Sequence, residues 1–133
     1  MDHLKQWAEN ILNRKSMTLR QGVDVEGIQD RHLGPRWEFA KIRFRAEPAE
    51  DFLVEMGDLE PDALRKSYLD AAILGVLDII LVSASAPLKN VKLTVTAIES
   101  HEIDSSPNAF RMAGREAGKK LIDEAMSQML SKC

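Results

Sequence analysis

The sequence predicts an α+β domain, a two-layer sandwich in which helices cover one face of a four-stranded, mostly antiparallel sheet. Short segments with alternating apolar and polar residues, typical of half-buried strands, are interleaved with two long segments that show the 3.6-residue apolar period of helices. The predicted order along the chain, α-β-β-β-α-β-α, favours a single sheet with helices packed on it. A length of 133 residues, 44% of them apolar, suits one such domain.

The chain begins with a predicted short helix, Asp2–Arg14. Asp2 can cap its first turn, and the apolar residues that follow recur at helical spacing. We therefore divide the chain into an N-terminal helical extension, residues 1–16, and the domain itself, residues 17–130.

The first two strands are predicted from alternation. Met17–Gly27 alternates loosely and is predicted to be a strand, and Ile28–Pro35, which contains Asp, His, Gly and Pro, is predicted to be a loop. The clearest alternation is that of Trp37–Glu47. Its phase slips between Phe39 and Ile42, which predicts a β-bulge at that point.

The second half of the domain contains the long helices. A short strand is predicted at Phe52–Met56, a helix from Pro61, a strand at Val91–Ala97, and a last helix capped by Ser106 with Pro107 at its first position. We expect the layer between sheet and helices to bury seven residues: Ile73, Val76, Ile80, Val91, Leu93, Val95 and Phe110.

Charge and hydropathy argue against several classes of partner. The net charge is −3, so tight binding to nucleic acid over an extended surface is not expected, and any RNA contact must be local. No segment approaches the roughly 18 consecutive apolar residues of a membrane span, and the N-terminus does not resemble a secretory signal. We expect a cytoplasmic protein that does not bind membranes.

The sequence contains no pattern typical of an enzyme. Its three histidines lack metal-ligand spacing, and no serine or cysteine stands in a nucleophile motif. Gly114–Lys120 is similar to a phosphate loop, but it is one residue short, ends in lysine and falls inside a predicted helix. Its small residues are expected to let two elements pack closely. We predict no catalysis, no cofactor, no metal and no bound nucleotide.

The segment Val91–Lys120 carries a specific motif. It resembles domain IV of elongation factor G, in which a strand enters a tip loop of the form H-[DE]-V-D-S-S and a helix begins E-x-A-F-[KR]. Eight residues match that pattern without a gap: His101, Glu102, Asp104, Ser105, Ser106, Ala109, Phe110 and Arg111. With a weaker match upstream, the resemblance covers Met17–Met126 and implies the fold of ribosomal protein S5 domain 2.

One of the two tip loops departs from the family. The family has a glycine-rich loop of the form G-G-x-G-Q-Y-G where this chain has Gly34–Ala40, which keeps a single glycine. Glycines would let the backbone adopt positive φ and approach RNA closely, whereas Pro35 and Trp37 restrict it.

The resemblance implies where a binding site should lie. The loop Arg31–Trp37 and the loop Ser100–Asp104 should lie side by side at one end, although about 70 positions separate them. In the family the histidine at the position of His101 enters the decoding centre beside messenger and transfer RNA. The candidate RNA- or partner-binding residues are Arg31, His32, Arg36, Trp37, His101, Asp104 and Ser105.

Simpler roles exist for several of these residues. Asp104, Ser105 and Ser106 can cap the last helix, and the loop cations can serve solubility alone. The cations Lys41, Arg43, Arg45 and Lys92 are expected to share the outer sheet face, either as a docking surface or as a solvated face that discourages edge pairing.

Two functions stay open from sequence. The first is a non-enzymatic, translation-associated domain that docks its tip loops into the ribosome or another structured RNA. The second is a scaffold whose partner is another protein and which makes no RNA contact. Because fold does not fix function, the first hypothesis rests on the resemblance.

Overall fold

Four strands form one sheet in the order β1-β2-β4-β3 in the computed structural model, which describes residues 2–6, 17–33, 36–56, 63–83, 87–100 and 105–130. The strands are β1 (Val23–Leu33), β2 (Arg36–Pro48), β3 (Leu53–Glu55) and β4 (Val91–Ser100). Helix α1 (Ala63–Leu77) continues into a π-helical segment, Asp78–Ser83, and helix α2 is Pro107–Leu130. Residues 2–6 are also helical.

The sheet is mostly antiparallel, as predicted. Strand β2 pairs antiparallel with both β1 and β4, whereas the short edge strand β3 runs parallel to β4. A parallel pair needs a long crossover connection, and here α1 lies in the connection between β3 and β4. The α+β fold class expected from the sequence is confirmed.

The first strand lies further along the chain than predicted. It spans Val23–Leu33 and so includes most of the segment predicted to be a loop, because β2 offers backbone partners as far as Arg36. Upstream, Met17 forms an isolated bridge to Leu88, and its N–H donates to the carbonyl of Pro87 over 2.8 Å. The alternation before Val23 therefore reflects burial against the core and not a sheet strand.

The predicted bulge in β2 was wrong. Strand β2 stays in register with β1 throughout, with Ala40 and Ile42 on the face toward the helices and Phe39 on the opposite face. The irregularity lies in β4 instead, where Thr96 is the extra residue between the partners of Arg43 and Phe44. The apolar pattern slips in phase at Phe39 because this side chain is buried although it lies on the outer side of the sheet.

Both helices pack on the same face of the sheet, where one core includes side chains from all the layers. Of the seven residues expected in this layer, six are almost fully buried, and Ile73 is partly buried against them. The apolar side of α2 is buried from Phe110 to Ala125, whereas Met129 is 45% exposed. The helical start predicted at Pro61 lies outside the described residues.

Glycines set how closely the layers approach. A Cβ atom on Gly27 of β1 would lie 1.8 Å from the carbonyl oxygen of Ala113 in α2. A Cβ on Gly114 would lie 2.0 Å from the carbonyl oxygen of Ala72 in α1. The prediction that the small residues of Gly114–Lys120 permit close packing is confirmed, and this segment lies inside α2.

Candidate functional site

The end of the sheet that holds the candidate site is formed by the β1–β2 hairpin. The ladder between these strands continues to the pair Leu33–Arg36, whereas β4 ends at Ser100, opposite Ala40. At about 3.3 Å per residue, the four residues from Ala40 to Arg36 carry the hairpin about 13 Å beyond the end of β4. Among the described residues, the hairpin therefore extends beyond β4 at this end of the sheet.

The residues that flank the second predicted tip segment contact β2. Ser100 pairs with Ala40 of β2, and the Ser105 hydroxyl donates to the Phe39 carbonyl over 2.7 Å. The residues that flank 101–104 thus both contact the same part of β2, and the side-by-side arrangement of the two loops stays a prediction. His101 and Asp104 themselves lie outside the described residues.

Three rings form a cluster on the outer side of the hairpin, which we call the hairpin aromatic cluster (His32, Trp37 and Phe39). The His32 and Trp37 rings stack with centroids 5.4 Å apart and planes 8° apart, and Phe39 meets Trp37 edge-on at 5.9 Å. The indole N–H of Trp37 donates to the Asp30 carboxylate. Trp37 is therefore held on several sides, and it is less available for stacking on a base than its sequence position suggests.

Charges of both signs occur at the hairpin end. Arg31 is exposed and forms no ion pair with any described residue. Its cross-strand neighbour, Glu38, instead accepts a hydrogen bond from the Gln29 amide over 3.3 Å. Arg36 lies in β2, and only its backbone is among the described parts. The described side chains of the hairpin thus offer one free cation and no broad positive surface.

The four cations predicted on the outer sheet face are paired. Arg43 binds Glu26 at 2.7 Å, Arg45 binds Asp24 at 3.2 Å, and Lys92 binds Glu55 at 3.3 Å. Lys41 lies 3.9 Å from both Glu26 and Glu99. Sequence reasoning located the four cations on this face but missed their four carboxylate partners, which come from neighbouring strands.

These ion pairs lower the pKa of one carboxyl group on the outer sheet face, that of Glu26. The hydrogen bond from Arg43 to Glu26, helped by the charges of Lys41 and Lys120, holds the pKa of Glu26 below its ordinary value, although partial burial opposes this. Lys120 also donates to the backbone carbonyl of Glu26 over 2.7 Å, which attaches α2 to the edge strand β1. The outer face is therefore an electrically balanced surface, not a basic one.

A second charged cluster lies between the helices, and the sequence did not predict it. The Asp78 carboxylate accepts two hydrogen bonds from Arg111, at 2.9 and 3.1 Å, and one from Arg115 at 3.1 Å. The bonds from Arg111, and then from Arg115, lower the pKa of Asp78. The i, i+4 spacing of the arginines was visible in the sequence, but the approach of Asp78 depends on the helix crossing.

The serines before α2 have structural roles. The N–H of Ala109 donates to the Ser106 hydroxyl over 3.1 Å, which is the hydrogen bond of an N-cap residue and confirms the predicted cap. The Ser105 hydroxyl donates to the carbonyl of Phe39 over 2.7 Å. Ser105 therefore joins the start of α2 to the base of the hairpin.

The described residues contain neither a metal-binding cluster nor a membrane-spanning helix. No group of three or more His, Cys, Asp or Glu side chains in those ranges could hold a metal ion. Over the same ranges, no helix is long and apolar enough to span a membrane.

Fold and site together define a two-layer α+β domain of the ribosomal protein S5 domain 2 type with a projecting hairpin tip. The family model for elongation factor G, domain IV, matches residues 15–126, and the chain belongs to this family. It is thus a domain related to a translation factor.

Comparison with solved structures agrees with this assignment. A crystal structure of a protein from Thermus thermophilus matches with a TM-score of 0.69 and 26% sequence identity. The match covers 83% of this chain and 17% of that one, so this chain spans about one sixth of the length of the matched protein.

Proposed function

We propose that this chain is a non-enzymatic, translation-associated binding domain that docks its tip into ribosomal or other structured RNA. The observation that carries the proposal is the hairpin, which extends about 13 Å beyond β4 in a member of the elongation factor G domain IV family. A narrow projection of this kind can enter a groove that the body of the domain cannot. The proposed site of action is the cytoplasm.

The distribution of charge supports a local contact at the tip. The four outer-face cations are neutralised by carboxylates, so the flat sheet surface offers little attraction to phosphate. Arg31 at the hairpin has no such partner among the described residues and can neutralise one phosphate. We therefore expect weak to moderate affinity with a small dependence on salt.

The hairpin aromatic cluster offers a surface on which an RNA base can stack, in addition to the charge of Arg31. His32 is exposed and stacks on Trp37, so a base placed against His32 would extend an existing stack. Base stacking on side-chain rings contributes about 1–3 kcal/mol per base and tolerates any sequence. The interaction with Asp30 holds the indole in a fixed orientation, which reduces the entropy lost on binding.

The experiment is a binding assay with purified ribosomal particles at low salt. Arg31→Glu should weaken binding several-fold and lower its salt dependence, because one phosphate contact is replaced by repulsion. Lys89→Glu is the matched control: it makes the same charge change at an exposed residue that precedes β4, at the end of the sheet away from the tip. His101→Ala tests the second tip segment. Equal effects of Arg31→Glu and Lys89→Glu would contradict docking through the tip.

A second candidate function is supported by a specific observation. Complementary ion pairs on the outer face and a partly exposed aromatic cluster beside them also suit a protein partner, because aromatic residues are enriched in the centres of protein interfaces. In that case the chain is a scaffold that binds another protein without RNA. Binding to particles that survives both tip substitutions, or that persists after the RNA is digested, would favour this alternative.

A further inference from the structure

The cluster of Asp78, Arg111 and Arg115 joins the π-helical segment to α2. Arg111 uses both Nε and Nη2 on the carboxylate, which is a bidentate pair, and Arg115 adds a third bond through Nε. The terminal Nη1 and Nη2 atoms of Arg115 form no hydrogen bond to any described residue. The arginine side chains are 44% and 41% exposed, so part of each is open to solvent.

The cluster carries excess positive charge. One carboxylate lies between two guanidinium groups, which leaves a formal charge of +1 on the three side chains. This differs from the outer sheet face, where four carboxylates balance four cations. A partly exposed, hydrogen-bonded pair of arginines with spare N–H donors suits the recognition of phosphate.

The backbone fixes this arrangement in advance. A Cβ on Gly75 would lie 2.1 Å from the carbonyl oxygen of Arg111, so the helices cross in direct contact next to the cluster. Asp78 follows one turn later, where α1 changes into the π-helical segment. Such π-helical turns are rare and occur frequently at functional sites. The carboxylate therefore orients both guanidinium groups before any ligand arrives.

The cluster lies at a distance from the hairpin end that can be estimated along β1. Gly27 of β1 lies against Ala113, between the two arginines in sequence, and the hairpin ends six residues further on at Leu33. At about 3.3 Å per residue, the cluster lies about 20 Å from the hairpin end along the strand direction. The cluster of Asp78, Arg111 and Arg115 lies in the helical layer, away from the hairpin aromatic cluster. One large partner can therefore contact both clusters with different parts of its surface.

We propose that Asp78, Arg111 and Arg115 form a phosphate-binding site for the structured RNA into which the tip docks, an inference that rests on the proposed function. The free Nη atoms of Arg115 donate to two oxygens of one backbone phosphate, and Arg111 adds its charge. Asp78 holds both side chains in place and, through its own negative charge, keeps the affinity moderate.

The first experiment observes the arginine side chains of the full chain by NMR during titration with sodium phosphate, compared with sodium chloride at equal ionic strength. The Nε–Hε signals of Arg111 and Arg115 should shift saturably with phosphate, and those of Arg45, which is 42% exposed and paired on the outer face, should not. Asp78→Asn should lower the phosphate concentration at half-saturation, because the local charge rises to +2. Shifts that are not saturable, or that match those of Arg45, would overturn the site.

The second experiment asks whether the phosphate belongs to RNA. Arg115→Gln should reduce the slope of log K against log salt for ribosomal particles by about 0.7–0.9, the effect of one lost phosphate contact. Arg45→Gln, the control, should leave the slope unchanged. An unchanged slope in Arg115→Gln, while Arg31→Glu weakens binding, would refute the inference and leave the proposed function standing. If the unmodified chain does not bind particles, the proposed function and its RNA site both fail, and the phosphate titration still decides whether an anion site exists.

Discussion

Replacing Gly27 with alanine should strongly destabilise the domain. The added Cβ would lie 1.8 Å from the carbonyl oxygen of Ala113, 2.7 Å from its carbon and 3.0 Å from the nitrogen of Ala117. All three are backbone atoms of α2, so no side chain can rotate away. Ordinary contact begins at 3.4 Å, and α2 must therefore retreat from β1 by about 1.6 Å.

A retreat of this size removes at least half of the dispersion energy of each contact that it opens. We expect a loss of about 3 kcal/mol in the free energy of unfolding, the upper end for a methyl group forced into a packed core. In a urea titration followed by circular dichroism, the midpoint should fall by about 2 M if the slope is about 1.5 kcal/mol per molar.

The control for this prediction is Gly22→Ala. Its Cβ would meet the Arg45 guanidinium at 2.6 Å, the far end of a flexible and exposed side chain that can move aside. We expect a change within about 0.5 kcal/mol. If Gly27→Ala were as stable as Gly22→Ala, the close approach of α2 to the sheet would be wrong.

Two further predictions concern the helix cap and acid stability. Ser106→Ala should lower the free energy of unfolding by about 1 kcal/mol, because the Ala109 N–H loses its hydrogen-bond acceptor. Ser106→Asp supplies another acceptor and should retain most of the stability of the unmodified chain. If Ser106→Asp were as unstable as Ser106→Ala, the cap would be wrong. The pKa values of Glu26 and Asp78 are lower in the folded than in the unfolded chain, so the unfolded chain binds more protons in acid. The two ionised carboxylates therefore stabilise the fold fully above their ordinary pKa values of 4.5 and 3.8. This stabilisation is lost as the pH falls through the lower folded-state pKa values. The double variant with Glu26→Gln and Asp78→Asn should show a flatter fall in unfolding free energy between about pH 5 and pH 2, and a fall as steep as in the unmodified chain would contradict this.

The spacing of apolar and polar residues within each segment was sufficient to predict most of the fold. The apolar period predicted the two long helices, and the motif before α2 predicted the cap at Ser106. The alternation of β2 predicted which cations share the outer face. These features depend on periodicity within one element, which a single sequence displays directly.

The features that the sequence did not predict depend on contacts between elements. Asp78 meets Arg111 only because glycines let the helices cross closely, and no spacing along the chain encodes that distance. Most of the loop predicted at Ile28–Pro35 is strand as far as Leu33, because β2 supplies partners that outweigh the local preference of its turn-forming residues. Trp37, a candidate binding residue, stacks on His32, and the two rings become neighbours only when β1 and β2 pair.

The most direct test of the account is a sucrose-gradient sedimentation of the purified chain mixed with ribosomal particles at low salt. We predict that the unmodified chain sediments with the particles, that Arg31→Glu shifts it toward the top of the gradient, and that Lys89→Glu does not. A chain that stays at the top even at low salt, or that sediments with the particles regardless of the charge at position 31, would contradict docking of the tip into structured RNA.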